Sequence, residues 1–122
     1  MFYVYKSFGT HSAVEVYTYK KGKVINCLPN EQYLIGVSYN KKQKRIVSSY
    51  GNTGRNYINV YKLTGTRLKC IKQFAYEVNP MNYKVEKITL NNKSITDAQY
   101  NAKTKKYTQS SKKYGKWKVL SY

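Results

Sequence analysis

The sequence predicts a mainly β domain, an antiparallel β-meander with one short helix near the C-terminus. Three observations predict it. Aromatic and β-branched residues recur in short alternating runs. Turn-forming residues punctuate those runs at short intervals. The period departs from two only once, after Thr96. The chain has 122 residues, of which 41% are hydrophobic. That suits a single domain spanning 1–122 with a modest core, and it excludes wholesale disorder.

The elements follow in order. Phe2 to Lys6 reads as a strand. Ala13 to Lys20 sets Val14, Val16 and Thr18 against Glu15, Tyr17 and Tyr19. Lys21-Gly22 is a hairpin turn, and Lys23 to Cys27 is its return strand. Tyr33 to Tyr39 places Tyr33, Ile35, Val37 and Tyr39 on one face. The chain turns at Asn40 to Gln43, and Lys44 to Tyr50 follows. Arg55 to Leu63 alternates again, with Tyr57, Asn59, Tyr61 and Leu63 on one side. Thr64-Gly65-Thr66 turns into Arg67 to Glu77, and residues 79–82 form a loop. Lys84 to Leu90 and Lys93 to Ile95 pair across Asn91-Asn92, residue types that tolerate positive φ.

Thr96-Asp97-Ala98-Gln99 then has the form of a capping box, which starts a helix over 97–107. Asp97 suits the first helical turn, where negative charge is favourable. Tyr100, Lys103 and Tyr107 are expected on one face. Ser110 to Lys113 is a polar loop, and Lys116 to Tyr122 is a last strand with Trp117 and Val119 on one face.

Two segments of the chain match each other. Ser7-Phe8-Gly9 corresponds to Ser49-Tyr50-Gly51, Val16-Tyr17 to Val60-Tyr61, Gly22 to Gly65 and Cys27 to Cys70. The offset stays near 43 residues. Two such repeats of β-meander, propeller-blade-like or folded into a small sandwich or barrel, are the expected architecture. The two cysteines form no CxxC. A disulfide and a pair of free thiols both fit the spacing, and their matched repeat positions favour the thiols.

Lys plus Arg number 23 against 5 Asp plus Glu, for a net charge of +18. The excess is spread along the chain, +7 in residues 1–61 and +11 in residues 62–122. Only Arg45, Arg55 and Arg67 are arginines. Arg is the usual bidentate reader of phosphates and bases, so a lysine-dominated surface points to diffuse attraction to polyanions or to solubility. No apolar run is long enough to span a membrane. The start lacks the features of a signal peptide, so either the protein stays inside the cell or the chain begins after a removed segment.

Catalytic chemistry is sparse. The chain holds His11, Glu15, Glu31, Glu77, Glu86 and Asp97. A Glu31/Glu77 carboxylate pair and a dyad of His11 with Cys27 or Cys70 are the arrangements available, and nothing in the pattern marks either one. The expected protein is not an enzyme and carries no cofactor. Two Cys and one His fall short of the usual structural zinc set.

Two surfaces are candidates for ligand binding. The first is a sheet face bearing Tyr50, Arg55, Tyr57 and Tyr61, because tyrosine is amphipathic and suits interfaces. The second is the C-terminal segment Lys112, Lys113, Tyr114 and Lys116, where cations and aromatic rings interleave. Lysines can track a phosphate backbone while aromatic faces stack on bases or sugars. In both cases the simpler expectation is structural, with Tyr107 and Trp117 as core residues and the lysines on solvent faces.

The runs Val-Tyr-Thr-Tyr-Lys-Lys-Gly-Lys-Val (16–24), Ser-Ser-Tyr-Gly (48–51) and Asn-Val-Tyr-Lys-Leu-Thr-Gly (59–65) resemble uncharacterised secreted proteins and lipoproteins of gut Firmicutes. The tail from Leu90 to Thr96, with Tyr100 and Lys105-Lys106-Tyr107, is similar to their C-terminal portion. The resemblance implies an extracytoplasmic β domain, the chain being part of a longer secreted protein, and no activity. The Asp-rich, calcium-loop-like segment of those proteins has no counterpart here.

The expectation is therefore a non-enzymatic secreted or cell-surface module. It would contact a polyanion (cell-wall polymer, glycan or nucleic acid) or a protein partner. The alternative is a small cytoplasmic nucleic-acid-binding protein with a Lys/Tyr-rich surface. A partner-binding inhibitor steered by charge is a third, weaker option.

Overall fold

The computed structural model describes residues 2–8, 12–28 and 34–120. His11, Glu31 and Tyr33 lie outside the described residues.

The alternating runs become strands because each has one apolar face to bury. β1 (Phe2–Phe8) and β2 (Ser12–Lys20) pair antiparallel. β3 (Lys23–Asn26) and β4 (Leu34–Ile35) lie end to end along the other edge of β2. Lys21 and Gly22 both have positive φ (51° and 78°), the geometry of a type I′ hairpin turn. Val14, Val16 and Thr18 are buried, as their alternation requires.

The second sheet has seven strands, in the order β10-β9-β8-β7-β6-β5-β11. They are β5 (Val37–Asn40), β6 (Arg45–Asn52), β7 (Arg55–Thr64), β8 (Arg67–Val78), β9 (Val85–Leu90), β10 (Lys93–Ser94) and β11 (Trp117–Val119). β5 to β10 form a plain antiparallel meander. β11 returns to pair with β5 at the far edge. The sheets are antiparallel and neither closes into a barrel. The two hairpins that carry the matched residues belong to different sheets. Cys27 donates its N–H to Val16 O at 2.8 Å in one, and Cys70 stands opposite Tyr61 in the other.

The expected strand from Tyr33 to Tyr39 is two strands in two sheets. Gly36 breaks it with a φ of +59° and passes the chain from the small sheet to the large one. A Cβ there would stand 1.8 Å from Ser49 O, so the crossover needs glycine. The break also separates the expected face: Val37 is fully buried while Ile35 is 37% exposed.

A second irregularity lies in β8. Val60 faces Lys72 but Tyr61 faces Cys70, so Ile71 is an extra residue, a β-bulge. The bulge inverts the alternation of β8. Leu68 and Cys70 share a face with Tyr61, whereas Gln73, Ala75 and Glu77 take over that face beyond Ile71.

Helix α1 (Asp97–Thr108) begins with the expected capping box. Gln99 N–H donates to Thr96 Oγ1 at 3.1 Å, and Thr96 N–H donates to Gln99 Oε1 at 2.9 Å. Its buried residues are Tyr100, Thr104 and Tyr107. Thr104 takes the place expected for Lys103, because positions i, i+4 and i+7 meet the sheet and an ammonium is costly to bury.

The large sheet is thus the middle of three layers. On one face, Ile46, Val37 and Leu68 pack with Val14, Val16 and Leu34 of the small sheet. On the other, Val47, Ile58, Val60 and Phe74 pack against Tyr100 and Tyr107 of α1. Each fully buried aliphatic or aromatic side chain contributes about 1.5–3 kcal/mol. Phe74 meets Tyr100 edge-on at 6.0 Å and lies 6.1 Å from Tyr107.

Candidate functional site

The small sheet covers only part of the face it packs on. It sits over the end where Ile46, Tyr61, Leu63 and Leu68 lie. Strand register carries the same face onward to Tyr50, Tyr57, Ala75 and Thr89, one residue from each of β6 to β9. Among the described residues, neither the small sheet nor α1 is packed over this half. This half forms an open depression of about 200 Å³ lined by Tyr50, Tyr57, Asn59, Gln73, Lys87 and Thr89, with Asn92 at its rim.

Its aromatic wall is a pair. Tyr50 is 43% exposed, and its ring centroid lies 5.2 Å from that of Tyr57 at an interplanar angle of 34°. The Tyr57 hydroxyl donates to Glu77 Oε1 at 2.5 Å. That hydrogen bond to a carboxylate, then burial, raises the Tyr57 hydroxyl above its ordinary value. Glu77 stands in register between Arg55 on β7 and Lys87 on β9. Arg55 is exposed at the end of the hairpin, and its charge pulls Tyr57 weakly the other way.

Tyr61 shares this face but not the depression. It lies under the small sheet, packed against the core, and burial pushes its hydroxyl up to about 12. Of the first expected set, then, the structure brings together Tyr50, Tyr57 and Arg55, and places Tyr61 half-buried against the core under the small sheet. It adds Asn59, Gln73, Lys87, Thr89 and Asn92. Asn59 was readable from its alternation with Tyr57. Gln73 was not, because the bulge at Ile71 reverses the parity that simple alternation assigns to it.

The second expected set lies apart, at the β5–β11 edge and the opposite end of the strands. Ser111 and Gly115 bridge to make a tight turn holding Lys112, Lys113 and Tyr114. The turn is pinned from below. Asn40, fully buried, donates from Nδ2 to Tyr114 O at 3.0 Å and accepts from Gln43 N–H at 2.9 Å. Gln43 Nε2 donates to Tyr114 O at 2.8 Å and to Lys106 O at 2.7 Å, and Lys42 Nζ donates to Lys112 O. Lys112, Lys113 and Lys116 are exposed, and Tyr114 is half-buried with Lys113 Nζ 5.7 Å from its ring centroid. Tyr107 is buried between Lys72 and Lys106, whose Nζ atoms stand 5.5 Å and 5.0 Å from its ring centroid. Trp117 packs against the same core and donates from Nε1 to Lys106 O at 3.0 Å. These two aromatics are committed to structure, and the aromatic ring beside the exposed lysines is that of half-buried Tyr114.

Nucleophiles and ligating groups are dispersed. Cys27 and Cys70 are free thiols, both pushed up by burial, so the reactive thiolate is disfavoured. Among the described residues no three His, Cys, Asp or Glu side chains gather as a metal site. No helix among the described residues is long and apolar enough to cross a membrane. Set against known protein families, curated proteins and solved structures, the chain matches none.

Proposed function

We propose that this chain is a non-enzymatic interaction module of the cell exterior whose open half-sheet binds an anionic polysaccharide. The observation that carries the reading is the depression lined by the Tyr50–Tyr57 pair, by side-chain amides and by Lys87. Each part has a matching chemistry. A sugar ring presents C–H faces that pack on tyrosine, and Tyr50 is free enough to offer one. Asn59, Gln73 and Asn92 carry both donors and acceptors, which suits vicinal hydroxyls. Lys87, with Arg55 beyond it, supplies the counter-charge for a carboxylate or phosphate substituent. The volume, about 200 Å³, falls below the roughly 300–1,000 Å³ of enclosed small-molecule pockets. An open trough of that size suits one residue of a polymer lying across the sheet.

A nucleic-acid surface would gather lysines beside exposed tyrosines. The exposed lysines are instead spread over the β2–β3 turn, the 41–44 turn, β7, β8, the 79–84 loop, β10, α1 and the tail, rather than gathered on one face, and among the described residues Lys87 is the lysine that lines the depression. That distribution favours the glycan reading.

The test is calorimetric titration with neutral, uronate-bearing and phosphate-bearing polysaccharides and with single-stranded DNA, each at low and physiological salt. The reading expects an anionic polysaccharide to remain bound at physiological salt. Tyr50→Ala should then cost about 1–2 kcal/mol, roughly five- to thirtyfold in Kd. Equal binding of all polyanions that vanishes with salt, or wild-type affinity in Tyr50→Ala, refutes it.

A further inference from the structure

We propose that the β8–β9 loop is a membrane-surface anchor that inserts its apolar tip into the interface of an anionic lipid bilayer. Met81 is 89% exposed and Tyr83 82%, and Val85, where the chain re-enters the sheet, is 51% exposed. Three large apolar side chains in five residues are thus held in water. Met81 and Tyr83 stand in the loop between β8 and β9, and Val85 opens β9.

The backbone of the loop is prepared for a low-dielectric environment. Asn79 N–H donates to Lys84 O and Tyr83 N–H to Asn79 O, both at 2.8 Å. Met81 N–H donates to Asn79 Oδ1 at 2.8 Å, and Lys84 N–H to Asn82 Oδ1 at 2.9 Å. Pro80 has no N–H to satisfy. An unpaired backbone donor is what chiefly bars a loop from lipid, and here four of the donors are paired within the loop itself. The loop is also braced, since Val78 N–H donates to Gly54 O at 2.6 Å in the neighbouring β6–β7 turn. Tyr83 is kept at a φ of +59°, a conformation that a tyrosine adopts only when its surroundings impose it.

Charge selects the lipid. Lys84 lies in the loop itself, and Arg55 and Lys87 stand in register on either side of Glu77 at its base, on a chain of net charge +18. Lysines at this level reach phosphate groups while tyrosine and methionine enter the headgroup–acyl boundary. The apolar tip, Met81 and Tyr83, lines no part of the tyrosine depression, although Lys87 borders both; the tip variant leaves Lys87 and Tyr50 in place, so its result is distinguishable from that of Tyr50→Ala.

The experiment is co-sedimentation of the full chain with phosphatidylcholine vesicles, with and without phosphatidylglycerol, at about 0.15 M salt. The variant is Met81→Ser/Tyr83→Asn, because asparagine tolerates positive φ and both side chains are exposed. The control is Lys103→Ala/Lys105→Ala, which removes two charges from α1. The expected result is binding to the phosphatidylglycerol vesicles, weakened about tenfold by the tip variant and less by the control. A Tyr83→Trp variant should show blue-shifted emission on those vesicles. Absence of vesicle binding by the wild type overturns the proposal and turns the tip into a protein-docking surface. Equal binding by the tip variant overturns it in favour of generic charge attraction.

Discussion

Replacing Gly36 by alanine tests the central architectural claim, that the chain crosses between the two sheets at a point with no room for a side chain. Two costs add there. The left-handed conformation penalises any L-residue by about 1–2 kcal/mol. The new Cβ would also sit 1.8 Å from Ser49 O and 2.9 Å from Ser49 C, atoms of a paired strand that have no flexible end to move aside. β5 must then shift from β6. That breaks the Ser49 N–H bond to Gly36 O at 2.8 Å and the Ser48 Oγ bond to Ile35 O at 2.5 Å. At about 0.5–1.5 kcal/mol each, these bring the total to roughly 2–5 kcal/mol. A natural domain's whole stability is about 5–15 kcal/mol.

Gly65→Ala is the matched control. Gly65 has a similar φ, +62°, but nothing lies within 4 Å of its Cβ position, so only the conformational cost applies. Thermal and urea unfolding followed by circular dichroism should separate the two. At roughly 4 °C per kcal/mol for a chain of this size, Gly36→Ala loses about 8–20 °C and Gly65→Ala about 4–8 °C. If the two midpoints fall by the same amount, the crossover contact is not real and the packing of the sheets must be redrawn.

Three further outcomes follow from particular groups. The Tyr100 hydroxyl is buried with no hydrogen-bond partner among the described residues, so Tyr100→Phe should leave stability unchanged or raise it by up to about 1 kcal/mol; a loss of that size in urea unfolding would contradict the assignment. Asn40→Ala should cost about 2–3 kcal/mol and speed amide exchange at Trp117–Val119, since Asn40 ties the tail turn to the sheet; unchanged exchange there would show that the tail is held otherwise. Burial raises the thiols of Cys27 and Cys70 from 9.0 and lifts Tyr61 to about 12, and Tyr57, Tyr76 and Tyr100 shift the same way. The folded state therefore keeps protons that the unfolded chain releases. Stability should hold below pH 9 and fall progressively from there to about pH 12, and a flat urea midpoint across that window would refute the burial of Cys27, Cys70 and Tyr61 and the hydrogen bonds of Tyr57 to Glu77 and Tyr76 to Asp97.

Much of the fold was legible in the sequence, for local reasons. Val14, Val16 and Thr18 alternate because one face must be buried, and they are buried. Lys21-Gly22 and Asn91-Asn92 announce hairpins because these residues tolerate the positive φ that such turns demand, and all four adopt it. Thr96 and Gln99 start the helix because their side chains satisfy each other's backbone donors. The candidate site was legible in part. Tyr50 and Tyr57 meet because both alternate toward one face near a shared turn. Tyr61 has the same alternation, yet its surroundings differ, because no local rule says how far a second sheet extends.

Strand identities, turn positions, the helix start and the uniform basic charge were therefore determined by the sequence itself. Each depends on interactions within a few residues, or on composition alone. The tertiary structure alone decided three things. It split residues 34–40 between two sheets at Gly36, inverted β8 at Ile71, and, among the described residues, left half a sheet face open with Gln73, Lys87 and Thr89 beside the tyrosines. Each depends on which distant strands pack together. That is settled by burial summed over the whole chain, where a single extra residue in one strand changes which side chains reach the site.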